Sequence, residues 1–149
     1  MGLWLKNLAI GTPGGKLHDI IAGKLPYGIF GIYLNAGHLI HMDEWLSSPI
    51  WPGSQIKIRS GMALQIDIIP SSPLYFSTRM EDGIVIADST LRDEIRRQFP
   101  ACFERIRARR SFMTDVLGFE IGEELLPLSN IAGIVPPYFL KPERVFTLK

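Results

Sequence analysis

The chain has 149 residues, with 16 basic and 15 acidic side chains and a formal net charge of +1. A chain of this length can bury a substantial core as one domain, and its nearly balanced charge gives no field that would attract nucleic acid or an acidic membrane. Its single cysteine, Cys102, excludes an internal disulfide and suits a reducing compartment. We therefore expect one domain over residues 1–149, cytoplasmic, without a nucleic-acid or membrane partner.

The first third of the chain predicts one helix between two extended segments. Residues 1–15 are apolar and then turn-like, which predicts a short strand or arm followed by a loop. Residues 16–24 carry apolar side chains at helical spacing and predict a short helix. Residues 26–34 are rich in aromatic and β-branched side chains and predict a strand that leads into Gly37 and His38.

The middle of the chain predicts several strands. Residues 62–69 are almost entirely apolar, and their alternation puts Gln65 and Asp67 on the same face. Residues 55–59 predict a half-buried edge strand, and residues 74–78 and 83–87 predict two more strands.

The last third predicts helices. Asp88, Ser89 and Thr90 are alternative N-caps, and Pro100 predicts a kinked helix or two consecutive helices. Gly118 is a plausible helix stop, and residues 122–126 predict a further short helix. A loop and a final strand are expected at the end of the chain.

Seven arginines lie on these helices: Arg92, Arg96, Arg97, Arg105, Arg107, Arg109 and Arg110. Acidic side chains interleave with them, which favours a solvated helix face over a phosphate-binding site.

Ionisable side chains interrupt otherwise apolar segments of the strand-rich region. His38, His41, Asp67 and Glu81 are the candidates for chemistry, because a buried carboxylate or imidazole needs a partner and a metal ion is one such partner. Each residue also has an ordinary explanation. His38 and His41 could be hydrogen-bonded core residues, Asp67 could lie on a solvated face beside Gln65, and Glu81 could belong to a turn.

The order of these segments resembles the pita-bread metallopeptidase family, which includes methionine aminopeptidases, Xaa-Pro aminopeptidases, prolidases and the related creatinase. Gly37-His38 matches the family's Gly-His element, and residues 61–70 match its Gly-Met strand that ends in an acidic residue and proline. Residues 80–86 match its later acidic residue before a hydrophobic strand, and the helix from Thr90 follows. The resemblance covers about residues 27–95.

The resemblance implies a site with two divalent metal ions, manganese, cobalt, zinc or iron. It implies that His38, Asp67 and Glu81 are ligands and that Asp67 also handles the proton of a metal-bridging water. His41 is the candidate imidazole that would steady the tetrahedral intermediate. Glu44 and Trp45 are candidate substrate-binding residues.

Three departures from the family pattern shape the functional expectation. Trp45 stands where the family has its second histidine, for which His41 and Glu44 are candidate replacements. Asp67 replaces a glutamate, which sets its carboxylate back by about 1.5 Å, one carbon–carbon bond. Asp19 is the single acidic residue before His38, so the family's two further aspartate ligands cannot come from this chain.

The chain therefore resembles the C-terminal part of a catalytic domain, with three of five ligands. The fold implied is α+β, a curved and mainly antiparallel sheet with helices on one face. The function implied is that of a fragment of a metal-dependent aminopeptidase or dipeptidase of the Xaa-Pro type, inactive by itself. Its partners would be a peptide substrate, the missing N-terminal half and a second copy of the chain. The alternatives are a creatinase-like hydrolase that cleaves a C–N bond without metal, and a non-catalytic module that binds peptides or proteins.

Overall fold

The computed structural model describes residues 1–31, 36–43, 46–74, 76–77, 79–138 and 140–148. The chain is α+β, as the sequence predicts. Its helices are α1 (Gly2–Asn7), α2 (Gly14–Lys24), α3 (Tyr27–Phe30), α4 (Ser89–Gln98) and α5 (Pro100–Ser111), and a π-helical turn spans Phe112–Val116. Its strands are β1 (His38–Leu39), β2 (Ala63–Ile68), β3 (Ser71–Ser72), β4 (Phe76–Ser77), β5 (Met80–Ile86) and β6 (Leu125–Pro127). Across these described ranges, no helix is long and apolar enough to cross a membrane.

A four-stranded sheet organises the fold. Its strand order is β1-β2-β5-β6, and every neighbouring pair is antiparallel. The β2–β5 pair is the longest, with six paired positions from Ala63↔Val85 to Ile68↔Met80. This antiparallel sheet agrees with the sequence prediction, and a separate two-stranded ribbon pairs β3 with β4.

The main core lies between one face of the sheet and the N-terminal helices. Leu64 and Ile66 of β2 and Ile84 of β5 are almost completely buried in it. Trp4 of α1 and Leu17 of α2 are fully buried in the same cluster. The strand or arm predicted for residues 1–15 is therefore wrong, because this segment begins as a helix whose apolar side chains face the sheet.

The arginine-rich region forms two helices, as one of the two sequence alternatives predicts. Phe99 separates α4 from α5, and Pro100 is the first residue of α5, where its missing N–H costs nothing. Of the three alternative caps, Asp88 caps α4, since its side chain accepts a hydrogen bond of 2.9 Å from the Leu91 N–H.

Other elements also differ from the prediction. Residues 144–148 form no strand, and residues 55–59 contribute only a single bridge, between Lys57 and Pro13. Residues 27–30 form the single helical turn α3, which ends at Gly31 in a left-handed conformation, although aromatic and β-branched content favoured a strand. Residues 125–127 form the edge strand β6 instead of a short helix, because they pair with residues 84–86 of β5. In residues 125–127 the strand partner outweighs local propensity.

Candidate metal centre

His38, Asp67 and Glu81 come together across three neighbouring strands. One possible ligand atom from each lies within 4.8 Å of the other two. The residues belong to β1, β2 and β5, which are consecutive in the sheet. Among the residues that the structure describes, no other group of three or more histidine, cysteine or acidic side chains lies close enough together to hold a metal ion.

Strand register explains why the three side chains share a face. Asp67 pairs directly with Glu81 across β2–β5, and His38 pairs with Gln65 across β1–β2. Directly opposed residues in an antiparallel pair point to the same side of the sheet, and residues two apart on a strand do so as well. His38, Gln65, Asp67 and Glu81 therefore lie on one face.

The backbone before His38 requires a glycine. Gly37 has φ of +126°, and a methyl group at this position would lie 2.8 Å from the carbonyl oxygen of Gln65. Only glycine allows this close approach without strain. The Gly-His pair identified in the sequence is therefore the element that brings β1 against β2.

His38 is buried, and its environment fixes its tautomer. Its Nδ1 lies 2.8 Å from the Leu39 carbonyl oxygen, which can only accept a hydrogen bond, so Nδ1 carries the proton. Nε2 then faces Asp67, whose Oδ2 is 3.7 Å away. Metal-bound histidines usually donate their other ring N–H to a carbonyl or carboxylate in this way.

Asp67 is also buried, with 4% of its surface exposed. The alternative of an aspartate on a solvated face is therefore wrong, although Asp67 does share its face with Gln65 as the alternation predicts. A buried carboxylate that faces a second carboxylate is stable only with compensating charge or hydrogen bonds.

Gln65 positions Glu81, a role that the sequence reasoning missed. Its Nε2 donates a 2.9 Å hydrogen bond to Glu81 Oε1. Gly83 lies opposite Gln65 and has no side chain, which leaves room for the amide to reach Glu81. The sequence signal was Gln65 itself, the other polar residue on the Asp67 face of an otherwise apolar strand.

The neighbouring carboxylate of Asp82 faces away from the site. Its Oδ2 accepts a 2.9 Å hydrogen bond from the Gly133 N–H. Burial raises the pKa of Asp82, while this hydrogen bond and the charge of Arg109 act in the opposite direction. Glu81 and Asp82 are thus consecutive residues of β5 rather than a turn, and strand alternation separates them.

The remaining candidates lie elsewhere or outside the described residues. His41 is exposed, and its Nδ1 accepts a 3.1 Å hydrogen bond from the Asp43 N–H. It is not one of the three clustered side chains. Glu44 and Trp45, the candidate substrate-binding residues, lie outside the residues that the structure describes.

The donor set suits a divalent cation. One imidazole nitrogen with a fixed tautomer and two carboxylates are ligands that zinc, manganese, cobalt and iron accept. The buried Asp67 carboxylate and the prepared Nε2 of His38 both fit such an ion. The arrangement could hold a cation at the point where the three side chains converge.

Comparison with solved structures shows a likeness to a known peptidase chain. The structure is similar to a solved chain described as Xaa-Pro dipeptidase from Bacillus anthracis, with a TM-score of 0.41 and 23% sequence identity. The match covers 60% of this chain and 26% of that one, so this chain spans about a quarter of the length of the dipeptidase. No family model matches the sequence, and no curated protein does.

Proposed function

We propose that His38, Asp67 and Glu81 are metal ligands in a metal-dependent aminopeptidase or dipeptidase of the Xaa-Pro type. The observation that carries the proposal is the convergence of one ligand atom from each residue within 4.8 Å. The same residues are the ones that the Gly-His, Gly-Met and acidic-strand motifs single out in the sequence. Motif order and side-chain geometry both support this assignment of the ligands.

Each residue has a distinct part in this proposal. His38 binds through Nε2 because its Nδ1–H is held by the Leu39 carbonyl. Glu81 binds through the oxygen that Gln65 does not hold. Asp67 both ligates and accepts the proton of the attacking water at a carboxylate oxygen. When bound, the divalent ions would polarise the scissile carbonyl and lower the pKa of a water molecule, so that it loses a proton more easily and becomes a stronger nucleophile.

The activity is proposed for a protein longer than the chain described here. The family resemblance implies two further carboxylate ligands from the half of the domain that precedes His38, and Asp19 is the single acidic residue before His38 in this chain. In that arrangement this chain contributes the three second-half ligands, and a peptide is the substrate.

A peptidase assay tests the proposal. The longer protein is incubated with dipeptides that carry proline in the second position, after chelation and after return of Mn²⁺. We expect hydrolysis that chelation abolishes and Mn²⁺ restores, and that Glu81→Gln reduces by at least about a hundredfold, since removing even an outer-shell partner of a ligand costs 10–100-fold. Glu94→Gln is the matched control, because Glu94 is an exposed residue of α4 that pairs with Gln98.

The two rival functions have their own outcomes in this assay. Hydrolysis of a C–N bond that survives exhaustive chelation would replace the proposal with a creatinase-like reaction that uses no metal. An inactive longer protein that contains no metal would replace it with a peptide- or protein-binding module.

A further inference from the structure

A cavity lies among α4, α5, β6 and the segment that leads into β6. Its volume is about 290 Å³, and its charged lining consists of three guanidinium groups, of Arg92, Arg107 and Arg110, and one carboxylate, of Glu123. The apolar part of its lining consists of Phe103, Ile106 and Leu126, which are all buried. It shares no lining residue with the metal centre.

Two of the three guanidinium groups are held by backbone carbonyls. Arg92 Nη1 donates a 2.8 Å hydrogen bond to the Ala87 carbonyl oxygen. Arg110 Nη1 donates to the carbonyl oxygens of Gly122, at 2.9 Å, and Leu125. These bonds fix the position of each group but leave its charge uncompensated, and a guanidinium has five N–H donors in all.

The carboxylates that pair with two of these guanidinium groups are exposed, so water weakens the attraction between the charges. Glu123 approaches Arg92 at 3.5 Å, and its side chain is 88% exposed, so water screens this pair. Glu104 pairs with Arg107 at 2.7 Å on the surface of α5. Burial lowers the pKa of Arg110. The negative charges of Glu123 and Glu124 raise this pKa, and the positive charge of Arg92 lowers it further.

We propose that this cavity binds a small oxyanion carried on an apolar group, such as a phosphate monoester or a carboxylate on an aromatic ring. Arginine forks bind both kinds of oxyanion through paired N–H donors. The apolar lining and the small volume suit a single ring rather than a polymer or a membrane surface. The phosphate-site alternative for the helical arginines thus applies to three of the seven.

Calorimetric titration with phenyl phosphate, benzoate and inorganic phosphate in physiological salt tests this site. We expect phenyl phosphate or benzoate to bind more tightly than inorganic phosphate, and the stronger of the two identifies the oxyanion. Arg107→Gln should weaken binding by about tenfold, which is the loss of one charge-assisted hydrogen bond. Arg107 lies on the surface of α5, so this variant should fold. Arg92→Lys keeps the positive charge but loses the paired N–H donors of the guanidinium group, so it should also weaken binding.

Arg97→Gln is the matched control, since it removes one charge from an exposed position of α4 outside the cavity. It should leave the dissociation constant within about twofold, because a distant surface charge is largely screened in physiological salt. Equal losses in Arg97→Gln and Arg107→Gln would show a diffuse charge effect and overturn the site. Absence of binding by all three probes at millimolar concentration would overturn it as well.

Discussion

Asp67 and Glu81 stand directly opposite each other on antiparallel strands, with both carboxylates on the same face of the sheet. Like charges in this position destabilise a sheet, and Asp67 is buried besides. His38 Nε2 approaches Asp67 from the third strand. The geometry is one that a bound cation stabilises, because the cation turns a repulsive pair into two ligands.

Glu81→Gln should have opposite effects on the metal-free and the metal-bound protein. In chelator, the free energy of unfolding should stay the same or rise by about 0.2–1 kcal/mol, because the like-charge pair is gone while the new amide oxygen can still accept from Gln65. With Mn²⁺ at a hundred times its dissociation constant, the wild type should gain about 2.7 kcal/mol and the variant much less. Urea unfolding with and without Mn²⁺ measures both, and equal metal-induced gains would contradict the ligand assignment.

Trp4→Ala should destabilise the chain far more than Trp51→Ala. Trp4 is fully buried between α1 and the sheet, whereas Trp51 is 43% exposed. Truncating a buried tryptophan to alanine lowers the free energy of unfolding by about 3–5 kcal/mol, and truncating a half-exposed one lowers it by about 1 kcal/mol. Urea denaturation compares the two variants. Similar losses would show that the first helix is not part of the core.

Two glycines of α2 should respond to alanine in opposite ways. A methyl group at Gly14 would overlap the Pro49 carbonyl oxygen, so Gly14→Ala must displace backbone and destabilise the chain. Gly23 has no atom within 4 Å of that position, so Gly23→Ala should stabilise by up to about 1 kcal/mol through helix propensity. Thermal unfolding gives the sign of each change. A stabilised Gly14→Ala variant would contradict the packing of α2 against residues 49–50.

The free energy of unfolding of the Asp82→Asn variant should increase relative to that of the wild type as the pH rises. Burial raises the pKa of Asp82 in the folded chain, so between its usual and its raised value the native state binds more protons than the unfolded state. The free energy of unfolding contributed by Asp82 therefore falls as pH increases through that window. Asparagine does not titrate and can still accept the Gly133 N–H. Urea unfolding from pH 3 to pH 7 measures the difference, and a difference that shrinks with pH would contradict this sign.

The sequence predicted the parts of the fold that local chemistry determines. Alternation over residues 62–69 placed Asp67 beside Gln65, and Pro100 marked the break between the helices. His38 and Asp67 stood out because ionisable side chains are rare in apolar strands. The α+β class and the antiparallel sheet were expectations implied by the family resemblance, and the structure shows both.

The remaining elements depended on partners distant in the chain. Residues 125–127 form a strand because β5 offers them a free edge, which no local pattern contains. Residues 2–7 are helical because Trp4 packs on the sheet. The hydrogen bond from Gln65 to Glu81 joins positions sixteen residues apart, and strand register alone brings them together.

Calorimetric titration of Mn²⁺ into the metal-free chain tests the central claim most directly, with His38→Ala, Glu81→Gln and the matched control His18→Ala. His18 lies on α2 beside Asp19, outside the cluster. We predict saturable binding that His38→Ala and Glu81→Gln weaken by at least about 10–100-fold and that His18→Ala leaves unchanged, with circular dichroism confirming that each variant is folded. Absence of binding to the wild type, or an equal loss in His18→Ala, would contradict the assignment of His38, Asp67 and Glu81 as a metal centre.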